Sequence, residues 1–330
     1  MRGLFFCSFA LFLLAIPCVV CSDRLNEYGV DKENVAVAGI SSGGFMSVQL
    51  HVIFSSLFRG AGVTAGGPFG CAGGVVSTAL TACMSTPSLI SVDALVTATA
   101  AKATDGLIAN PSFLKGSQVF LFSGTKDTVV DQGVVKKLQS YYERFGADIE
   151  TMYDVESEHA HITSNYGNEC GHLGSPYINN CGIDVSGKIM QKLFGGDLYP
   201  PVNASDDSLH AFDQSEFTTV FTTTQIGLGD RGFVYVPERC NRKDSKCKLL
   251  VALHGCEMGY DQIGKEYVQH VGYNEWAESN DMIVLYPQAT TNTLNPNGCF
   301  DWWGYAGVNY ATNQGTQVMA IKKMVDRVMN

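Results

Sequence analysis

Charge, proline and long apolar runs are all scarce in this sequence. Charged residues make up 16% of its 330 positions, and prolines number 10. Low charge combined with 45% hydrophobic residues excludes a disordered chain and fits a packed globule of one large domain or two small ones. After residue 22 no segment reaches the roughly 18 consecutive apolar residues that a membrane-spanning helix needs. Positive charge is short as well: 22 Lys and Arg stand against 32 Asp and Glu, for a net −10. That balance disfavours nucleic acid and anionic membranes as partners. No Gly-Lys-Ser or Gly-Lys-Thr occurs, which excludes a phosphate-binding loop of that type.

The first 22 residues, MRGLFFCSFALFLLAIPCVVCS, read as a signal peptide. Arg2 gives the positive start, Leu4 to Val20 the apolar core, and Cys21 and Ser22 a small-residue cleavage site. The expected location is therefore extracellular, with no membrane attachment once the leader is removed. Eight cysteines remain: Cys71, Cys83, Cys170, Cys181, Cys240, Cys247, Cys256 and Cys299. An even count in an exported chain suggests four disulfides, although eight cysteines allow 105 pairings. Pairing by short range suggests Cys71–Cys83, Cys170–Cys181 and Cys240–Cys247, leaving Cys256–Cys299. Zinc is the rival use, but none of the eight stands in a CxxC pair. Asn203-Ala204-Ser205 is the only glycosylation sequon.

Short β-branched runs alternate with helical patterns. Strands are expected at Val35–Ile40, Gly62–Ala65, Gln118–Phe122, Thr151–Val155, Gly232–Val236, Leu249–Leu253 and Met282–Tyr286. Helices are expected at Gly44–Phe58, Val130–Phe145, Asp184–Phe194, Gln262–Val271 and Gln314–Val328. This alternation predicts an α/β fold, a mostly parallel sheet with helices on both faces.

The chemistry gathers at four places. Gly39-Ile40-Ser41-Ser42-Gly43 fits G-x-S-x-G between a strand and a helix, the setting of a nucleophile elbow. Taken alone it is also a glycine-rich turn with an idle serine. A serine hydroxyl needs a base, and the base needs an orienting acid. Asp127 lies in the turn beyond the strand Gln118–Phe122, at the sheet edge where open α/β folds place their sites. Asp131 is a weaker candidate, and either aspartate can instead serve a turn or a helix cap. The base candidates are His159 and His161, in a loop after the next strand. His51 falls on the elbow helix, and His172, His210 and His270 have no recognisable setting. The fourth place is His254-Gly255-Cys256 at a strand end. There the N–H of Cys256 can complete an oxyanion hole with the N–H of Ser42, while His254 itself reads as a strand-end core residue.

The order of these parts is unusual. The oxyanion strand normally precedes the elbow, yet here it follows about 210 residues later, beyond acid and base. That rotation is what circular permutation produces. It makes residues 196–230 a connection within one domain spanning residues 23–330.

With these parts in place the chain resembles the secreted, circularly permuted poly(3-hydroxybutyrate) depolymerases of single-domain fungal type and their esterase relatives. The matching stretches include VAVAGISSGGFMSVQL, TAGGPFGCAGG, VFLFSGTKDTVV, SPYINNCGIDVSG, LLVALHGCEMGYDQIG, YNEWAESNDMIVLYPQA and NPNGCFDWWGYAG. The resemblance implies a circularly permuted α/β-hydrolase that cleaves polyester bonds with nucleophile Ser41, acid Asp127 and base His161. It implies oxyanion donors at Ser42 and Cys256, the four disulfides above, and no metal or organic cofactor. It also implies a substrate cleft walled by Trp302, Trp303 and Tyr305. Two departures stand out. The run after His161 lacks the family's proline, which leaves His159 open as the base, and Tyr305 stands where the fungal type has tryptophan. The expected substrate is a short-chain hydroxyalkanoate polyester, its oligomers or a small ester. The alternatives are a carbohydrate esterase for acetyl or feruloyl groups and a retired hydrolase scaffold that only binds.

Overall fold

Apolar, β-branched runs set the architecture. The computed structural model describes residues 24–195 and 197–330, so the leader expected at 1–22 lies outside it. Four strands come first: β1 (Val30–Ile40), β2 (Gly60–Thr64), β3 (Gln118–Phe122) and β4 (Asp148–Met152). A small parallel sheet follows, of β5 (His161–Thr163), β6 (Asn168–Glu169) and β7 (Ile178–Asn180). The chain then supplies β8 (Leu209–Asp213), β9 (Arg231–Tyr235), β10 (Cys247–Leu253) and β11 (Met282–Tyr286). These four join the first four in one eight-stranded sheet of order β4-β3-β2-β1-β10-β11-β9-β8. Only β9 pairs antiparallel, with β11 and β8.

Among the described residues nine α-helices accompany the strands: α1 (Ser42–Ile53), α2 (Val76–Leu80), α3 (Val92–Thr104), α4 (Gln132–Phe145), α5 (Val185–Phe194), α6 (Tyr260–Ile263), α7 (Glu266–His270), α8 (Tyr273–Ser279) and α9 (Thr316–Met329). Strand alternation sends side chains to two cores. Val35, Val37, Leu249, Val251 and Leu253 enter one core with residues of α1, α4 and α9. Ala36, Ala38, Leu250 and Ala252 enter the other, with residues of α5, α7 and α8. The predicted mostly parallel sheet, covered on both faces, is the one observed.

Several boundaries moved. The helix expected from Gly44 to Phe58 ends at Ile53, because Phe54 leaves helical geometry at φ −117°, ψ 44°. The expected helix Gln262–Val271 is broken at Gly264, whose φ of +64° suits glycine but not a helix interior. Helix α3 had not been expected, although Ser91 caps it by accepting the Ala94 N–H. Strand β8 lies inside the 196–230 connection and pairs with β9, so this polar stretch contributes to the sheet. All four expected disulfides are present.

Three histidines are sealed in these cores. Burial pushes His51 down to about 3, and His161 and His254 to about 4, from an ordinary 6.5. The unfolded chain then binds more protons than the native one between those values and 6.5, so stability rises with pH across that window. Thermal melts should therefore show Tm falling steadily as pH drops from about 6.5 to 4, with a shallower slope in His51→Phe than in wild type.

Candidate functional site

Because β1, β2, β3, β4, β10 and β11 run parallel, their C-terminal ends meet on one edge, and Ser41, Asp127, His159 and Cys256 stand in the segments that follow β1, β3, β4 and β10 there. Ser41 ends β1 at φ +56°, ψ −123°, a conformation that costs a non-glycine residue roughly 1–3 kcal/mol. Its N–H donates to the Thr64 carbonyl (2.9 Å) and its carbonyl accepts from Phe45 N–H (2.9 Å), which hold the corner. The hydroxyl makes no capping bond to its own helix. The neighbouring glycines have steric causes. A Cβ on Gly43 would stand 2.3 Å from the carbonyl oxygens of Leu253 and His254, and one on Gly39 would stand 2.4 Å from the Gly43 oxygen. The elbow helix is thus pressed against β10, with no room for side chains.

Asp127 and His159 meet through two interlocked loops. Gly124 passes so close to Ser157 that a Cβ there would lie 2.1 Å from the Ser157 oxygen. Thr125 N–H donates to Val155 (2.8 Å) and Lys126 N–H to Ser157 (3.2 Å). Glu158 clamps the far side, accepting from Thr128 Oγ1 (2.7 Å), Thr128 N–H (3.1 Å) and the His159 N–H (2.8 Å). Within this frame Asp127 Oδ1 accepts the N–H groups of Val129 and Val130 (2.9 and 2.8 Å), and Oδ2 lies 2.9 Å from His159 Nδ1. An acceptor-only carboxylate against Nδ1 fixes the proton there and leaves Nε2 as the basic nitrogen.

His161 is not part of this pair, and the expectation that it would face Asp127 is corrected. It begins β5 and turns into the core, where Nε2 lies 2.8 Å from Ser186 Oγ and 3.2 Å from the Val271 carbonyl. Burial without a countercharge keeps it neutral. Asp131 is used as the cap of α4, accepting the Gly133 N–H (2.7 Å). Of the remaining histidines, His51 bonds to Tyr142 (2.9 Å) and His270 stacks on Tyr166. His172 and His210 are exposed.

The loop after β10 reaches Ser41, since a Cβ on Gly255 would lie 3.2 Å from Ser41 Cβ. Among the described residues, neither Ser42 N–H nor Cys256 N–H donates to a backbone carbonyl. Cys256 is tied to Cys299, whose N–H and carbonyl are both held by the Asn295 amide (2.9 and 2.8 Å). Tyr305 is partly buried: its hydroxyl donates to the Cys299 carbonyl (2.7 Å) and fills the space above Gly227. Trp302 stacks on Phe45 at 3.9 Å and Trp303 packs on both Trp302 and Tyr305. Sequence reading missed Asp301, a buried carboxylate that accepts from Gly304, Tyr305 and Ala306 N–H groups (2.7, 2.9 and 3.1 Å) and so shapes this aromatic loop. Its only sequence signal is an aspartate three residues before a glycine.

No cluster of three or more His, Cys, Asp or Glu side chains among the described residues is arranged to hold a metal ion, and no described helix is long and apolar enough to cross a membrane.

The strand order, the serine corner and the loops beyond β3, β4 and β10 define an α/β-hydrolase fold. No protein-family model matches the chain. It is 42% identical over 325 residues to a poly(3-hydroxybutyrate) depolymerase of Delftia acidovorans, covering 97% of this chain and 64% of the length of that relative. It is 32% identical to a polyhydroxybutyrate depolymerase of Talaromyces funiculosus, covering 94% of both. Two solved structures are also similar. One is a serine-to-alanine variant of a PHB depolymerase complexed with an R3HB trimer, with TM-score 0.84, 30% identity and coverage of 93% of this chain and 98% of that one. The other is the crystal structure of PHB depolymerase from Penicillium funiculosum, with TM-score 0.83, 31% identity and the same coverage. The chain belongs to the polyhydroxybutyrate depolymerase family.

Proposed function

We propose that the protein is a serine esterase that cleaves short-chain hydroxyalkanoate polyesters or their oligomers, with Ser41 as nucleophile, His159 as base and Asp127 as orienting acid. The observation that carries this reading is the Asp127–His159 pair on the same sheet edge as the strained Ser41 corner. The relative that binds an R3HB trimer supports the substrate class. His159 Nε2 takes the Ser41 proton as Oγ attacks the ester carbonyl. Asp127 stabilises the imidazolium through Nδ1–H. The N–H groups of Ser42 and Cys256 stabilise the oxyanion, each by about 3 kcal/mol. The imidazolium then protonates the leaving alcohol, and water frees the acyl group by the reverse sequence. The test is hydrolysis of hydroxybutyrate trimers against acetylated and feruloylated oligosaccharides, with fluorophosphonate labelling of Ser41. Cleavage of the oligosaccharides but not the trimers would reassign the substrate, and absence of labelling would reject the mechanism.

The protein acts outside the cell in this reading, after loss of the 1–22 leader, because four disulfides persist in oxidising compartments. Asn203 is exposed and open to glycosylation.

The Cys256–Cys299 bridge pins the oxyanion loop to the rigid Asn295–Tyr305 frame. Cys256→Ser and Cys299→Ser each keep the backbone N–H but release the pin. Each should lower turnover on the order of 10²-fold, the scale of a misplacement of about 1 Å. The double variant should be little worse than either alone. Multiplying effects in the double variant would show that the two cysteines act separately.

A further inference from the structure

We infer that His254 is a positioning residue that sets the direction of the Cys256 N–H by holding the peptide between Gly255 and Cys256. The inference rests on the hydrolase reading above and concerns a residue that sequence reading assigned to the core.

His254 is completely buried, and both ring nitrogens are engaged. Nδ1 lies 2.6 Å from the Gly255 carbonyl oxygen, which can only accept. Nε2 lies 3.0 Å from the Ala289 N–H, which can only donate. These two partners allow one tautomer: Nδ1 protonated, Nε2 bare. The ring is braced by Phe300, with centroids 4.8 Å apart, and Ala289 follows directly on the segment after β11. The Gly255 carbonyl is therefore tied to the central sheet through a rigid ring.

In a trans peptide the C=O and the following N–H point in opposite directions. Gly255–Cys256 is trans, so fixing the Gly255 oxygen on His254 fixes the Cys256 N–H on the opposite side. Met258 N–H adds a second, longer bond to the same oxygen (3.3 Å) and closes a turn that carries Glu257 at φ +61°. A non-glycine residue in that region is strained and persists only when its surroundings over-determine it. Here those surroundings include the Glu257 N–H donating to Asn297 (2.8 Å) and the Glu257 carboxylate accepting from Tyr177 Oη (2.6 Å). Without His254 only the longer Met258 bond holds the Gly255 oxygen, and the N–H is less firmly directed to where negative charge develops. Burial keeps the ring neutral near pH 7, so this tautomer is not interrupted by protonation.

The full-length protein without its leader tests this with two variants. His254→Phe keeps a ring and removes both bonds. His254→Asn retains an N–H that can reach the carbonyl one residue on. In His254→Phe, kcat on p-nitrophenyl butyrate should fall on the order of 10²-fold with KM within about threefold, because the donor acts on the transition state. Affinity for a trifluoromethyl ketone, which forms an oxyanion on Ser41, should fall in parallel with kcat/KM. His254→Asn should recover to within about tenfold of wild type. Nitrogen-15 NMR of wild type should show Nδ1 protonated and Nε2 bare. Equal losses in the two variants, a KM rise that accounts for the whole loss, or an Nε2–H tautomer would overturn the inference. If His254→Phe does not fold, the tautomer and His254→Asn still decide. A wild type that neither hydrolyses the ester nor binds the ketone overturns the hydrolase reading itself, which the tautomer measurement does not touch.

Discussion

His159→Ala should lose on the order of 10⁴-fold or more in turnover while melting close to wild type, as removal of a triad base does. Its ring reaches across to Asp127, but its surroundings are held by other bonds: Glu158 to Thr128, and Thr125 to Val155. Loss of the ring therefore removes the base and leaves the loops in place. His161→Ala should do the opposite. Its side chain is 1% exposed, lies among Tyr267 and Tyr273, and bonds Ser186. Truncation there leaves a cavity, while the Ser186 hydroxyl keeps its bond to the Val271 carbonyl, costing about 2–4 kcal/mol of stability, with turnover per folded molecule within about tenfold of wild type. Kinetics and thermal melts on the two variants check this. A dead, stable His161→Ala beside an active His159→Ala would move the base back to His161.

Ser41→Ala should be the most severe loss of all, on the order of 10⁶-fold, since the other hydroxyl at the elbow, Ser42 Oγ, is buried and accepts the Phe300 N–H (3.3 Å). Its Tm should match wild type, because Ala inherits the same strained corner. Ser41→Gly should be as inactive but more stable, by about 1 kcal/mol or more, because φ +56° and ψ −123° suit glycine. The pair separates two properties that one residue combines. If Ser41→Gly melts at or below wild type, the corner stores no strain. If Ser41→Ala retains more than a few per cent of turnover, another group is the nucleophile. Labelling by fluorophosphonate should vanish in both variants.

What the sequence made legible was whatever depends on neighbours in the chain. Gly39, Ser41 and Gly43 form one short run between a strand and a helix, so the elbow could be read directly, although the crowding that demands glycine at 43 comes from Leu253 and His254. Strands Gln118–Phe122 and Met282–Tyr286 are bounded by turn residues and appear where expected. The short-range disulfides followed from proximity, and the long one from what remained. Which histidine meets Asp127 was not legible. His159 and His161 are two residues apart, and the choice between them depends on where β5 begins and on Gly124 meeting Ser157. Those are contacts between distant segments. The Tyr305 hydrogen bond was hidden for a similar reason: only the missing side chain at Gly227, distant in the chain, opens room for its hydroxyl to reach the Cys299 carbonyl. His254 carried an HG signature, yet its two hydrogen bonds depend on a carbonyl orientation and on Ala289, neither of which shows in the letters.

The pairing of β1 with β10 also bears on how the molecule comes to be folded. Val37 lies beside Val251 and Gly39 beside Leu253, so the seam at the centre of the sheet joins segments more than two hundred positions apart in the chain. Loop closure over such a span is slow, and sheets dominated by distant pairings fold late. A ribosome releases β1 to β4 long before β10 exists. During that interval β1 offers a bare apolar edge, the feature most prone to pairing with the wrong chain. The loop carrying Cys256 follows β10 directly, so the proposed active centre cannot form until the last third of the chain has closed the sheet. In the proposed mechanism a nascent chain is therefore chemically silent, and the ability to attack esters arrives in a single late step together with the completed core.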